Sequence, residues 1–150
     1  MNGKKAGKPR LLVLDDNLVN LKVAERLLEN QGYDVFVAQT IWEAARVLEQ
    51  CHVDVLVTDV VLERGSFHEL HRMMTSNGRE SAPYKTVIVI SGTMDTATQQ
   101  AFWRYGELVH EFVQKAERTT PQGDGTVSEN TLVAAVRSAL MSVGFEVSVS

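Results

Sequence analysis

The amino-acid sequence predicts an α/β domain in which a mainly parallel, five-stranded sheet is sandwiched by five helices. Five short apolar runs, rich in β-branched residues, alternate with five segments whose apolar residues recur at helical spacing. This alternation is typical of parallel sheets that carry helices on both faces. The first and fourth runs are continuously apolar, as expected for strands that are buried on both sides.

The predicted strands are short, and polar residues follow most of them directly. They lie at residues 11–14 (LLVL), 35–38 (VFVA), 53–57 (VDVLV), 87–90 (VIVI) and 108–113 (LVHEFV). Right-handed crossovers are expected between parallel strands of one sheet. Five strands connected in this way commonly take the flavodoxin-like spatial order 2-1-3-4-5, which is the order that we expect here.

The predicted helices lie between the strands, and each shows one apolar stripe. Asn17 is expected to begin the first helix, and Gly32 can adopt the left-handed conformation that ends it. Ser128 is expected to cap the last helix. The stripes are formed by Leu18, Leu21, Ala24, Leu27 and Leu28; by Ile41, Ala44, Ala45 and Leu48; by Phe67, Leu70, Met73 and Met74; by Met94, Ala97, Ala101 and Tyr105; and by Leu132, Ala135, Val136, Ala139 and Leu140.

Three larger side chains do not belong to these stripes. His68 and His71 lie one helical turn apart, a spacing that can bind a metal, but we expect two surface histidines. Trp103 lies off the stripe of the fourth helix. It is either an exposed contact for a partner or a partly buried packing residue.

Composition and charge exclude several classes of function. The 150 residues suffice for one domain with a single core, and the net charge of −4 gives no general attraction to nucleic acid or anionic membranes. The lone Cys51 rules out an internal disulfide and fits a reducing compartment. The basic N-terminus lacks the apolar stretch of a signal peptide, and no apolar run reaches the roughly 20 residues that span a bilayer. We therefore expect a cytoplasmic protein with no direct nucleic-acid or membrane partner.

The domain boundaries follow from the same patterns. We expect a basic tail at residues 1–9, the domain at 10–141 and a C-terminal tail at 142–150. Pro121, Gly123 and Gly125 predict a flexible insertion at about residues 117–127, before the last helix.

Polar residues with a shared chemistry follow four of the strands. Ligands bind to parallel sheets at the carboxyl ends of the strands. Asp15 and Asp16 follow the first strand, Asp59 the third, Ser91 the fourth and Lys115 the fifth. Each residue alone is explained as a turn former, a helix cap or a solvated side chain. Their placement at one edge of the sheet favours a functional site.

The side chains of this set suit phosphoryl chemistry. Three clustered carboxylates need a cation, and an oxygen-only set of ligands suits Mg²⁺. A hydroxyl and an ammonium beside the metal suit a phosphoryl group. Since no Walker-type loop is present, a side-chain carboxylate is the remaining carrier. Asp59 stands alone on the central strand and is the natural acceptor, while Asp15 and Asp16 supply metal ligands.

From about Arg10 to about Met141, the sequence resembles the receiver domains of two-component response regulators. The segments LLVLDDN, VLVTD, VIVIS and EFVQK resemble the acidic pair, the phosphoacceptor, the switch hydroxyl and the lysine of that family, at fitting spacings. The resemblance implies that Asp59 is phosphorylated and that Lys115 and Ser91 contact the phosphoryl oxygens. Such a protein is a signalling phosphoacceptor and is not an enzyme with an external substrate.

The resemblance also implies a cofactor and partners. Asp15 or Asp16, together with Asp59 and the backbone carbonyl of Val61, would bind Mg²⁺. Phe112 falls where the family has its aromatic rotamer switch. The phosphoryl donor would be a sensor histidine kinase or a histidine phosphotransfer protein. An output partner, or a second copy in a phosphorylation-dependent homodimer, would bind the face of the fourth helix, fifth strand and fifth helix.

The sequence departs from the family in its loops, which leaves two alternatives. Ala116 stands where the family has proline after its lysine, and Leu62 and Glu63 replace a Met–Pro pair. The first alternative is a degenerate receiver that binds partners without phosphorylation. The second is a Mg²⁺-dependent phosphohydrolase of the haloacid-dehalogenase type, although the acid spacing at Asp15 and Asp16 does not fit. The sequence does not distinguish a stand-alone regulator from one domain of a larger protein.

Overall fold

The computed structural model describes residues 7–60, 62–76, 82–92, 95–114 and 129–145. Strands and helices alternate along the chain as predicted, with a 3₁₀ segment added before the last strand. The elements are β1 (Arg10–Leu14), α1 (Leu18–Asn30), β2 (Asp34–Ala38), α2 (Ile41–Gln50), β3 (Val53–Asp59), α3 (Phe67–Thr75), β4 (Tyr84–Ser91), α4 (Thr96–Phe102), the 3₁₀ segment (Trp103–Leu108), β5 (Val109–Gln114) and α5 (Glu129–Ser142).

The five strands form one parallel sheet in the order β2-β1-β3-β4-β5, which confirms the predicted flavodoxin-like fold. The central strand β3 is buried along its whole length. It extends two residues beyond the predicted apolar run, so that its last residue is Asp59. Because the strands are parallel, their carboxyl ends lie at the same edge of the sheet.

The two faces of the sheet are packed by different helices. Alternate residues of β1 point to opposite sides, so that Leu11 joins the core under α1 and α5, and Leu12 joins the core under α2, α3 and α4. The first core is almost entirely aliphatic. The second contains the buried rings of Phe67, Tyr84 and Phe102.

Polar side chains cap the helices that follow the strands. Asn17 accepts a hydrogen bond from the Asn20 N–H at 3.0 Å, which confirms it as the start of α1. Thr40 caps α2 in the same way, by accepting the Glu43 N–H at 3.1 Å. Gly32 has a φ of 92°, in the left-handed region, and follows the end of α1 as predicted.

The apolar stripe predicted for the fourth helix is wrong at two of its described positions. Ala97 and Ala101 are exposed, and the buried residue of α4 is Phe102. The helix ends at Phe102, so Tyr105, which is half-buried against the core, packs from the 3₁₀ segment that follows. Trp103 is 67% exposed, which settles the alternative in favour of an exposed side chain.

The prediction of two surface histidines is also wrong. His68 and His71 are half-buried, and each imidazole contacts a tyrosine hydroxyl from another element, Tyr105 and Tyr84 respectively.

Several predictions fall outside the described residues. They include Met94, the cap at Ser128, the insertion at 117–127 and the outer part of both tails. Among the described helices, none is both long and apolar enough to cross a membrane.

Candidate functional site

Three aspartates meet at the carboxyl edge of the sheet. Leu14 of β1 pairs with Thr58 of β3, so the residues that follow them, Asp15 and Asp59, lie at the same level of the sheet. One carboxylate oxygen from each of Asp15, Asp16 and Asp59 lies within 4.8 Å of the other two. The structure thus brings together the three carboxylates that the sequence singled out.

Backbone hydrogen bonds hold Asp15 in a turn. Its N–H donates to the carbonyl of Ala38 at 3.1 Å, which continues the pairing of β1 with β2. Its carboxylate accepts the N–H of Asn17 at 2.9 Å. The side chain is only 8% exposed, so its position is restricted by packing as well as by these bonds.

Asp16 connects the acidic pair to the loop that follows β3. Its Oδ2 accepts the backbone N–H of Glu63 at 2.5 Å, and its carbonyl accepts the Gln39 Nε2 at 3.4 Å. Neither contact of Asp16, with Gln39 or with Glu63, was predicted from the sequence. No local pattern could have shown it, because Glu63 is 47 residues away from Asp16 in the chain.

Asp59 and Ser91 end neighbouring strands and are both deeply buried. Asp59 is 4% exposed and Ser91 is 1% exposed. Asp59 is in register with Ile90, and the pairing continues where the Val60 N–H donates to the Ile90 carbonyl at 2.8 Å. Ser91 directly follows Ile90, the register partner of Asp59. Its hydroxyl and the Asp59 carboxylate therefore belong to the same edge of the sheet.

Phe112 lies in β5, one strand further along the sheet. It is in register with Val89, two residues before Ser91. Its half-buried ring meets Phe102 of α4 edge-on, with 5.5 Å between the ring centroids and an interplanar angle of 85°. Phe112, the predicted aromatic switch, therefore contacts α4 directly.

Two residues of the predicted site lie outside the described residues. Lys115 is the residue after Gln114, the last residue of β5, and Gln114 is in register with Ser91. Val61 follows Val60 at the end of β3. Their roles remain predictions.

The donor set at this edge fits Mg²⁺. It consists of oxygen atoms, which Mg²⁺ prefers over nitrogen and sulfur. Two oxygens that bind one Mg²⁺ at about 2.1 Å lie roughly 3 to 4 Å apart. The three carboxylates need only small adjustments to reach that spacing.

The sequence profile of the response regulator receiver domain matches residues 11–120, which is most of the chain. The chain belongs to the response regulator receiver domain family. This confirms the resemblance noted in the sequence. A search of the curated proteins found no match.

Solved receiver structures share the fold along nearly all of their length. A response regulator receiver protein from Pseudomonas putida is 26% identical with a TM-score of 0.69, covering 89% of this chain and 99% of that one. Chemotaxis response regulator CheY4 of Vibrio cholerae is 16% identical with a TM-score of 0.69, covering 89% and 100%. A receiver domain protein from Clostridium thermocellum is 24% identical with a TM-score of 0.65, covering 89% and 95%. The last two, at their low identity, support the fold alone.

Membership in the family establishes the general type of activity. Receiver domains are signalling proteins of two-component systems, and they interact with histidine kinases or phosphotransfer proteins. They generally bind Mg²⁺ at an acidic pocket, and this chain has an aspartate cluster at the corresponding edge of its sheet.

Proposed function

We propose that this receiver domain accepts a phosphoryl group on Asp59 from a phosphohistidine of a sensor histidine kinase or histidine phosphotransfer protein. The observation that carries the proposal is the group of three carboxylates within 4.8 Å at the carboxyl edge of the sheet. Asp59 is the member that belongs to the central strand and has the least exposed side chain. A buried carboxylate at the end of a rigid strand is well placed to act as a positioned nucleophile.

The transfer exchanges one bond to phosphorus for another. A carboxylate oxygen of Asp59 attacks the phosphorus atom, and an acyl phosphate bond forms. The bond between phosphorus and the donor imidazole breaks, and its electron pair stays on the imidazole nitrogen. Lys115 and Ser91 would contact the oxygens of the transferred group and stabilise their charge.

Asp15, Asp16 and Asp59, with the backbone carbonyl of Val61, would hold Mg²⁺. The bound ion would supply positive charge that offsets the carboxylates and the phosphoryl oxygens. The hydrogen bond between Asp16 and the Glu63 N–H orients one of these carboxylates from outside the site.

The response to phosphorylation would pass through Ser91 and Phe112. Ser91 would move toward the phosphoryl oxygens, and Phe112 would turn into the space that this movement opens. Because the Phe112 ring already packs edge-on against Phe102, its rotation would change the surface of α4 and β5. Trp103, exposed directly after α4, offers an apolar contact to an output partner or a second copy on that face.

The test is phosphorylation by a small donor, measured by intact mass. Wild-type protein incubated with Mg²⁺ and acetyl phosphate is expected to gain the mass of one phosphoryl group, and Asp59→Asn is expected to gain none. Asp54→Asn is the matched control, because it changes another buried aspartate of the same strand at the opposite end of the sheet. An unmodified wild type, or equal labelling of Asp59→Asn, would contradict the proposal.

A second function is favoured by the unusual loop after β3. The Glu63 N–H already occupies one oxygen of Asp16, and Leu62 is buried in the core, so the loop is anchored without a phosphoryl group. A receiver fixed in this way could bind partners constitutively. In that case partner binding would be unchanged by acetyl phosphate and by Asp59→Ala.

A further inference from the structure

Six rings pack together where α3 meets β4, α4 and the 3₁₀ segment. Their contacts are directional: His68 stacks on Tyr105 with 5.5 Å between centroids, and Phe67 stacks on Phe102 at 6.0 Å. His68 also lies 4.8 Å from the Phe102 ring. We call this group the ring cluster, and it consists of Phe67, His68, His71, Tyr84, Phe102 and Tyr105.

The hydrogen bonds of His68 determine its protonation state. Its Nδ1 contacts the Arg104 Nη2 at 2.8 Å and also the Tyr105 hydroxyl. A guanidinium can only donate, so Nδ1 must act as the acceptor and must carry a lone pair. In this arrangement His68 is a neutral imidazole with its proton on Nε2, and Arg104 and the Tyr105 hydroxyl share the one lone pair of Nδ1.

His71 is bonded in a way that tolerates either protonation state. Its Nδ1 lies 2.6 Å from the Tyr84 hydroxyl. A hydroxyl can donate or accept, so this bond survives when the imidazole gains a proton. Burial, and to a lesser extent Tyr105, raises the pKa of Tyr84, which keeps the hydroxyl protonated.

The charges around the ring cluster oppose protonation of His68. Burial lowers the pKa of His68, and the positive charges of Arg104, His71 and Arg72 lower it further. Burial and Arg104 also lower the pKa of His71. The groups that face His68 thus come from its own helix α3 and from the 3₁₀ segment, where the Arg104 guanidinium lies 5.2 Å from the centre of the Tyr105 ring.

We propose that His68 is an acid-sensitive latch that holds the Arg104 side chain of the 3₁₀ segment against α3. In the neutral state its Nδ1 accepts from Arg104. Protonation turns Nδ1 into a donor that faces a cationic donor, so the bond to Arg104 is lost and the charges repel, while the Tyr105 hydroxyl accepts from the new N–H. His71 keeps its bond to Tyr84, so the release is confined to the Arg104 side chain.

The latch is placed so that its release reaches the signalling face. His68 and Phe102 line a groove of about 320 Å³ between α3 and α4, and Val60, next to Asp59, lines the same groove. Phe102 is also the residue against which Phe112 packs. The release of Arg104 and the new charge on His68 would therefore change the packing around Phe102, on which Phe112 rests. The latch itself does not depend on the phosphoryl transfer proposed above.

The direction of the pH effect follows from the lowered pKa. Because the folded protein holds the pKa of His68 below the ordinary value of 6.5, the unfolded chain binds a proton more readily. The contribution of His68 to stability is complete above pH 6.5 and is lost as the pH falls below it. Arg104 should be released in the same range.

The first experiment is an NMR titration of the imidazoles in the unphosphorylated wild-type protein. We expect His68 to be protonated on Nε2 at neutral pH and to gain its second proton below pH 6.5. The amide signals of the 3₁₀ segment should shift with the same midpoint. A proton on Nδ1 at neutral pH, a midpoint at or above 6.5, or an unresponsive 3₁₀ segment would overturn the proposal.

The second experiment compares two arginine substitutions. Arg104→Met removes the donor and the strongest of the nearby positive charges, so the pKa of His68 should rise toward 6.5 and the shift of the 3₁₀ signals should become smaller. Arg72→Met is the matched control on α3, where the charge acts on His68 without a hydrogen bond, and it should raise the pKa less. Equal effects of the two substitutions would contradict the latch. If Arg104→Met does not fold, the wild-type titration still decides between the outcomes.

Discussion

Asp54 and Asp59 lie near opposite ends of β3 and are similarly buried, at 9% and 4% exposure, but different groups surround their carboxylates. Asp54 accepts the Arg10 N–H at 2.8 Å and forms an ion pair with Lys85 at 3.0 Å. At the other end of the strand, the carboxylates of Asp15 and Asp16 lie within 4.8 Å of Asp59. The Asp54 carboxylate thus lies beside a donor and a cation, whereas two further carboxylates lie close to Asp59.

The difference fits a structural role for the amino end of the sheet and the binding role proposed for the carboxyl end. At the amino end, the protein supplies both the donor and the cation, so the buried charge is compensated within the fold. At the carboxyl end, each pair of neighbouring carboxylates repels by roughly 1 to 3 kcal/mol, depending on exposure. This repulsion favours the binding of a cation, which fits the proposed function of the edge.

The largest expected effect is stabilisation by Mg²⁺ at the carboxyl end. At about 100 times its Kd, Mg²⁺ should raise the free energy of unfolding of the wild type by about 2.7 kcal/mol. Urea unfolding with Mg²⁺ and with EDTA measures this difference. Asp15→Asn and Asp59→Asn should lose most of it, because each removes one charged ligand.

Asp54→Asn is the control for the magnesium experiment. It should keep the full stabilisation by Mg²⁺, since its carboxylate lies at the amino end. Two results would contradict binding of Mg²⁺ at the carboxyl end of β3. One is a loss of the Mg²⁺ stabilisation in Asp54→Asn equal to that in Asp59→Asn, and the other is a wild type that Mg²⁺ does not stabilise.

A smaller effect is expected from removing the carboxylate at the amino end. Asp54→Ala leaves the Arg10 N–H without this acceptor and removes the ion pair with Lys85, and should lower the free energy of unfolding by about 2 kcal/mol. Lys85→Met should cost less, because that side chain is 42% exposed and solvent screens its charge. Urea unfolding in EDTA measures both. An unchanged stability of Asp54→Ala would show that this end of β3 is not stabilised by the pairing described.

The position of the site was predictable because it follows from topology. Once apolar runs and helical stripes indicate a parallel sheet, the residues after each run must meet at one edge. Asp15, Asp16 and Asp59 could therefore be grouped from sequence, and the structure brings them together. The bond between Asp16 and the Glu63 N–H could not be predicted, because it depends on the path of a loop with no regular pattern.

The sequence was less informative on the α3 and α4 side of the sheet. Ala97 and Ala101 suggested a buried stripe, but alanine has too little apolar surface to determine which side of a helix is buried, and Phe102 is the buried residue. His68 was expected at the surface, and its contact with Tyr105, 37 residues away, could not be read from the sequence. The spacing of two histidines on a helix says nothing about such distant partners.

The smallest expected effect concerns Asn17, which lies beside the acidic pair but caps α1. Asn17→Ala should lower the free energy of unfolding by about 1 kcal/mol, because the Asn20 N–H loses its acceptor. Thr40→Ala, which removes the corresponding cap of α2 away from the acidic cluster, should cost a similar amount. Isothermal titration should find the Mg²⁺ affinity unchanged in both variants. A weaker Mg²⁺ affinity in Asn17→Ala alone would add Asn17 to the Mg²⁺ site. It would show that the Asn17 side-chain amide influences the neighbouring carboxylates as well as capping α1.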